Sequence, residues 1–230
     1  LELRDPISSA SHLLTAVWAT YATLILLRLA PPGRRIVAGI FGLSMILLYL
    51  ASGTFHGVPF NRVDNPTEYR FFQRIDQTAI YLLIAGTNTP CLAILLGGRR
   101  AAWFLGLMWS LAAIGIAFLW LAPKVPHSVM ISIYLSMGWL GIVPVWQYYR
   151  VLGWRALNWL WLGAFFYTVG AICELAEWPV ITTDPLRFGP HEVLHVCDTA
   201  GSVAFFLFIT RTVLHFQPRR RDPEPLSRAA

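Results

Sequence analysis

The chain has 230 residues, 56% of them hydrophobic and 13% charged, with a mean hydropathy of +0.56 and a formal net charge of +6 at neutral pH. That balance lies outside an ordinary soluble domain and points to a protein that crosses a membrane several times. It excludes a nucleic-acid-binding reading of the positive charge, because no soluble module carries a basic face interleaved with aromatics. It also excludes a transmembrane β-barrel, because the apolar runs do not alternate.

An apolar run of about 20 residues, rising roughly 1.5 Å each as a helix, crosses the ~30 Å hydrocarbon core. In chain order seven runs qualify: Ile7 to Leu29, Ile36 to His56, Phe71 to Leu96, Ala101 to Leu121, Val129 to Tyr149, Ala156 to Cys173, and His191 to Phe216. Pro31, Pro32 and Gly33 separate the first two, Gly97 to Arg100 the third and fourth, and Pro123 to Pro126 the fourth and fifth. Trp103, Trp120, Trp146, Tyr148, Tyr149 and Trp154 gather at segment ends, as interfacial aromatic belts do. Unpaired backbone cannot face lipid, so each run is expected to be helical, with Pro90 and Pro144 kinking theirs.

The fold class that follows is an all-α membrane protein, a seven-transmembrane helix bundle. Residues 1–216 read as one domain, since no connecting stretch is long enough to bury a core of its own. Residues 217–230, rich in Arg and Pro, read as a disordered basic tail, a solvated one in preference to a specific contact with anionic lipid. The first run is too long for a cleavable signal peptide and lacks a basic front.

Basic residues set the orientation. One face of the membrane, side B, keeps Arg4, Arg62, Arg70, Arg74, Lys124 and Arg187. The other twelve of the eighteen Lys and Arg fall on side A, with the C-terminus. The positive-inside rule makes side A cytoplasmic and puts the N-terminus outside, in a multi-pass protein of the cell membrane.

Helix direction then assigns depth. His56 ends the second run and His191 and His195 open the seventh, so all three come to one depth on side B, where Asp76 of the third run joins them. His191, His195, Asp198 and Ser202 share one helix face, and Ser52 lies one turn from His56. A lone histidine near a helix end is ordinarily an interfacial residue. Ionisable groups gathered inside a membrane instead mark a functional site, because hydrocarbon penalises them unless they face a partner. Three neutral imidazoles at roughly 2.0 to 2.1 Å suit zinc, in a tetrahedral site whose fourth position stays open to water.

The residues also carry a resemblance. Ala51 to His56 (ASGTFH), Asp76 to Pro90 (DQTAIYLLIAGTNTP) and His191 to His195 (HEVLH) resemble the three signature blocks of the hemolysin III family, which sits within the progestin and adipoQ receptor superfamily, together with the adiponectin receptors. The likeness takes in Tyr134 to Trp139 and Tyr167 to Ala171, and so covers most of the chain. It implies a seven-helix bundle with zinc held by His56, His191 and His195, and a water beside Asp76. Alkaline ceramidases in the wider superfamily use such a site to hydrolyse a lipid amide. Adiponectin receptors carry the opposite orientation to the one that the charges give here. Gln77, Asn88, Glu174 and Asp198 depart from the family's usual residues and leave the ligand set intact, so they bear on substrate preference.

Physical roles can be assigned on that basis. Asp76 is the expected general base and Ser52 the expected oxyanion donor, against the plainer readings of a helix-start ion pair with Arg74 and a hydroxyl bonded to its own helix. Asp198 is a candidate to orient His195. His12 reads as interfacial packing in preference to pointing into the bundle near side B, His127 and His215 as outside the cluster, Glu174 and Glu177 as solvated in preference to a second cation site, and Cys91, Cys173 and Cys197 as apolar filling. Two functional classes stand: a zinc-dependent hydrolase of membrane lipid, at an amide bond, and a non-enzymatic sensor in which zinc is structural and a lipid or partner shifts helix packing. Pore formation, which the family's name suggests, finds no charged amphipathic stripe.

Overall fold

A computed structural model describes residues 3–122, 125–182 and 188–217, and the tail after Gln217 lies outside them. The helices are α1 (Pro6–Leu29), α2 (Arg35–Gly57), α3 (Pro66–Cys91), α4 (Gly98–Leu121), α5 (His127–Leu140), α6 (Val145–Leu152), α7 (Asn158–Leu175) and α8 (Pro190–Phe208). No strand occurs among the described residues, only an isolated bridge between Thr182 and Phe188. Among the described residues seven stretches are long and apolar enough to cross a membrane, α5 and α6 together making the fifth. The protein is a seven-span helical bundle.

Local chemistry sets the helix ends. Pro6, Pro66 and Pro190 open α1, α3 and α8, where a missing N–H costs nothing. Glu192 reaches back to accept the Gly189 N–H at 2.8 Å, completing the start of α8. The third span begins at Pro66 and not Phe71, because Glu68, Tyr69 and Arg70 extend the helix beyond its apolar stretch. The fifth span is broken more sharply than a kink. Proline supplies no N–H and disfavours helical backbone in the residue before it, so the chain turns over Gly141 to Pro144, with Val145 N–H bonding to Ile142 O at 2.7 Å. Pro90, in contrast, stays inside α3, and the distortion falls just after it as a π-helical turn over Leu92–Leu96.

In the bundle α1 packs on α2 and α8, α2 on α3, and α7 on α8, while α5 touches α3 and α7 and α4 lies outside α3. Small residues permit the closest approaches. A Cβ on Gly53 would lie 2.8 Å from the Leu13 side chain, and one on Gly170 2.8 Å from Cys197 Cβ. The main core gathers Phe41, Met45, Tyr49 and Phe208, and a second cluster joins Tyr81, Met108, Met130 and Met137. Leu14, Val17, Ile36, Ile114 and Phe165 are exposed, as lipid-facing side chains must be.

Candidate metal centre

The site forms where the end of α2 meets the starts of α1 and α8. His56 occupies the last turn of α2, and its carbonyl accepts the Asp5 N–H at 3.0 Å. His191 and His195 stand on successive turns of α8, on one face. The Nε2 atoms of His56 and His191 are 3.0 Å apart, and one nitrogen from each of His56, His191 and His195 falls within 4.8 Å of the others. His56 and His195 are buried, and His191 is half-buried.

Carboxylates stand behind two of the rings. His56 Nδ1 lies 2.9 Å from Asp5 Oδ2, and His191 Nδ1 lies 3.2 Å from Glu174 Oε1. A carboxylate only accepts, so each Nδ1 carries the proton and each Nε2 keeps its lone pair for the space between the rings. Burial raises the Asp5 carboxyl, but the hydrogen bonds from His56 and Arg4 outweigh it and hold the group at about 2. Arg4 itself donates Nε to Asp5 at 2.9 Å and lies over the Phe55 ring, 4.2 Å from its centroid.

These residues fit a metal. Tetrahedral zinc with nitrogen ligands at 2.0–2.1 Å separates neighbouring nitrogens by roughly 3.3 Å, close to the His56–His191 spacing. The carboxylates of Asp5 and Glu174 add the negative charge that a buried divalent ion requires. The group can hold a metal ion.

Asp76 and Ser52 come to the same place. Ser52 is buried one turn before His56, and the Asp76 carboxylate lies near it as well as near His56 and His191. Asp76 lines a cavity of about 230 Å³ together with Glu174, His191 and Asp198, and the walls continue through Leu48, Leu83, Met130 and Leu160 to Tyr148 at the side A end. No Lys or Arg is among the described residues lining it.

Several sequence expectations need correction. His12 is 2% exposed, not interfacial, and its ring lies parallel to His195 at 3.6 Å. Glu174 is not solvated, because it accepts hydrogen bonds from His127 Nε2 at 2.8 Å and from His191. His127 therefore reaches the cluster through Glu174, although it opens α5 rather than sitting in a loop. Asp198 faces the cavity, and no side chain among the described residues hydrogen-bonds His195 Nδ1. Glu177 is exposed, as expected, and His215 is exposed after the end of α8. The sequence reading missed Asp5 altogether: Asp-Pro at a helix start reads as a cap, and nothing local points to a histidine 51 positions away.

Residues 2–206 match the family model described as Haemolysin-III related. The chain belongs to the hemolysin III family. Among relatives of this hemolysin III protein, it is 36% identical over 170 residues to the Hemolysin-3 homolog of Bacillus subtilis (strain 168), covering 74% of each chain. It is 35% identical over 175 residues to Hemolysin-3 of Bacillus cereus, covering 76% of this chain and 74% of the relative. The human Monocyte to macrophage differentiation factor is 26% identical over 163 residues, covering 70% and 67%. These matches place this hemolysin III protein in the progestin and adipoQ receptor superfamily, as the three signature blocks imply. With seven apolar spans, it is a multi-pass membrane protein.

Proposed function

We propose that this hemolysin III protein is a zinc-dependent hydrolase that cleaves an amide bond in a membrane lipid. The observation that carries the reading is that Asp76 and His191, one of the three clustered histidines, together line a largely apolar cavity inside the bundle. A zinc ion held by His56, His191 and His195 supplies polarisation of a carbonyl oxygen and acidification of a water. Asp76 accepts the proton of the water attacking the carbonyl carbon and returns it to the leaving nitrogen as the C–N bond breaks. Ser52, buried one turn before His56, stabilises the developing oxyanion in this reading. The apolar walls take the acyl chain and exclude water from the reacting end. The absence of Lys and Arg from the described lining favours an uncharged amide over a phosphate ester, which would meet carboxylates and no cation.

A second reading, a lipid or membrane-state sensor with structural zinc, draws on the burial of His56 and His195, which are 5% and 3% exposed. Fatty-acid release from ceramide-like and glycerolipid substrates in liposomes separates the two. Asp76→Asn should keep its zinc and lose about 10²- to 10⁴-fold in rate, the cost of a missing general base. His195→Ala should lose metal and activity together. If fully metallated wild type releases nothing across the panel, or Asp76→Asn matches it, the hydrolase reading gives way to the sensor.

A further inference from the structure

His195 differs from the other two histidines of the triad. Carboxylates hold His56 and His191 from behind, and no side chain among the described residues does so for His195 Nδ1. What lies against its ring is another imidazole. His12 of α1 is parallel to His195, with centroids 3.6 Å apart and planes 9° off. His12 is itself buried, its two ring nitrogens bonded by no side chain among the described residues, and Tyr49 meets it edge-on at 5.1 Å.

The backbone beneath this stack is locked. Ser8 Oγ donates to Glu192 Oε1 at 2.8 Å, and the hydroxyls of Thr15 and Thr199 lie 3.1 Å apart. Ser8, His12 and Thr15 fall on one face of α1, and Glu192, His195 and Thr199 on one face of α8. The two helices run in the same direction, so the three pairs form successive rungs, and the imidazole stack is the middle one. At this spacing His195 cannot turn about its Cβ–Cγ bond without driving a ring edge into the face of His12. The face of a neutral ring also favours the partial positive charge that an imidazole acquires on binding a cation.

We propose that His12 is a positioning residue of the metal centre, its stacked ring fixing His195 in the way that Asp5 and Glu174 fix the other two ligands. The inference rests on the metal-site reading and is independent of any hydrolase activity. Nothing about the His12 nitrogens enters it: the ring face does the positioning, so a phenyl ring serves as well.

The test is zinc affinity, measured by chelator competition on detergent-purified protein, together with the absorption spectrum of the cobalt(II)-substituted form, which reports ligand geometry. His12→Leu and His12→Gln, one apolar and one polar but both without a ring, should lose about 10- to 100-fold in zinc affinity, the range typical of losing a ligand's supporting partner. Their cobalt spectra should change. His12→Phe should stay within about threefold of wild type and keep its spectrum. Thermal unfolding of the zinc-free forms reports any loss of folding separately. Wild-type affinity and spectrum in both ringless variants would overturn the proposal, and so would a His12→Phe variant as weak as they are. A wild type that binds no zinc removes the metal-site reading itself.

Discussion

Asp5 and Glu174 reach their histidines by different routes. Asp5 comes from the segment just before α1 and bonds His56 with its carboxylate and with its own N–H. Glu174 comes from the last turn of α7 and bridges the exposed His127 and the half-buried His191. Both fix a ring plane and a tautomer, so Asp5→Asn and Glu174→Gln should each lower zinc affinity by about 10- to 100-fold while leaving helix content unchanged. Chelator competition beside circular dichroism measures this, and unchanged affinity in both variants would sink the assigned roles. The residues legible in the sequence were those whose position follows from depth and face on one continuous helix: His56, Ser52, Asp76, His191 and His195. Asp5, His12 and Glu174 were not legible, because each acts across an interface between helices, and hydropathy does not say which side of a helix meets which neighbour.

At the scale of the elements, the α1–α2 contact governs the site, since α1 carries His12 and α2 carries His56. Ser9 Oγ donates to Gly53 O at 2.9 Å, and a Cβ on Gly53 would lie 2.8 Å from the Leu13 side chain and 3.1 Å from its backbone nitrogen. A side chain can turn aside, but a backbone nitrogen moves only with its helix. Gly53→Val should therefore push α1 outward, cost about 1–3 kcal/mol as overpacking does, and lower thermal stability in detergent. An unchanged midpoint would show that the helices are farther apart than described. All seven spans were readable, because a run of apolar residues long enough to cross hydrocarbon has few other uses. The break in the fifth was foreseen only as a kink. Gly141, Ile142 and Val143 are as apolar as the helices on either side, and only Pro144 hints that the backbone stops there.

For the whole molecule, we propose an orientation from the charge distribution, which the helices by themselves do not supply. Twelve of the eighteen Lys and Arg belong to the side that carries the C-terminus. A reporter fused to the C-terminus should accordingly be active in the cytoplasm, which puts the histidine cluster towards the outer leaflet. An external C-terminus would reverse the assignment and bring the protein into line with the orientation implied by the adiponectin receptors. The choice of terminus for that reporter is not free. Asp5 is both the last residue before α1 and the partner of His56, and Arg4 beside it is pinned over Phe55 and bonded to Phe60 O at 3.0 Å. A tag or fusion joined directly ahead of Arg4 would pull on the histidine cluster itself, so protein labelled there and found not to bind metal has reported on the label.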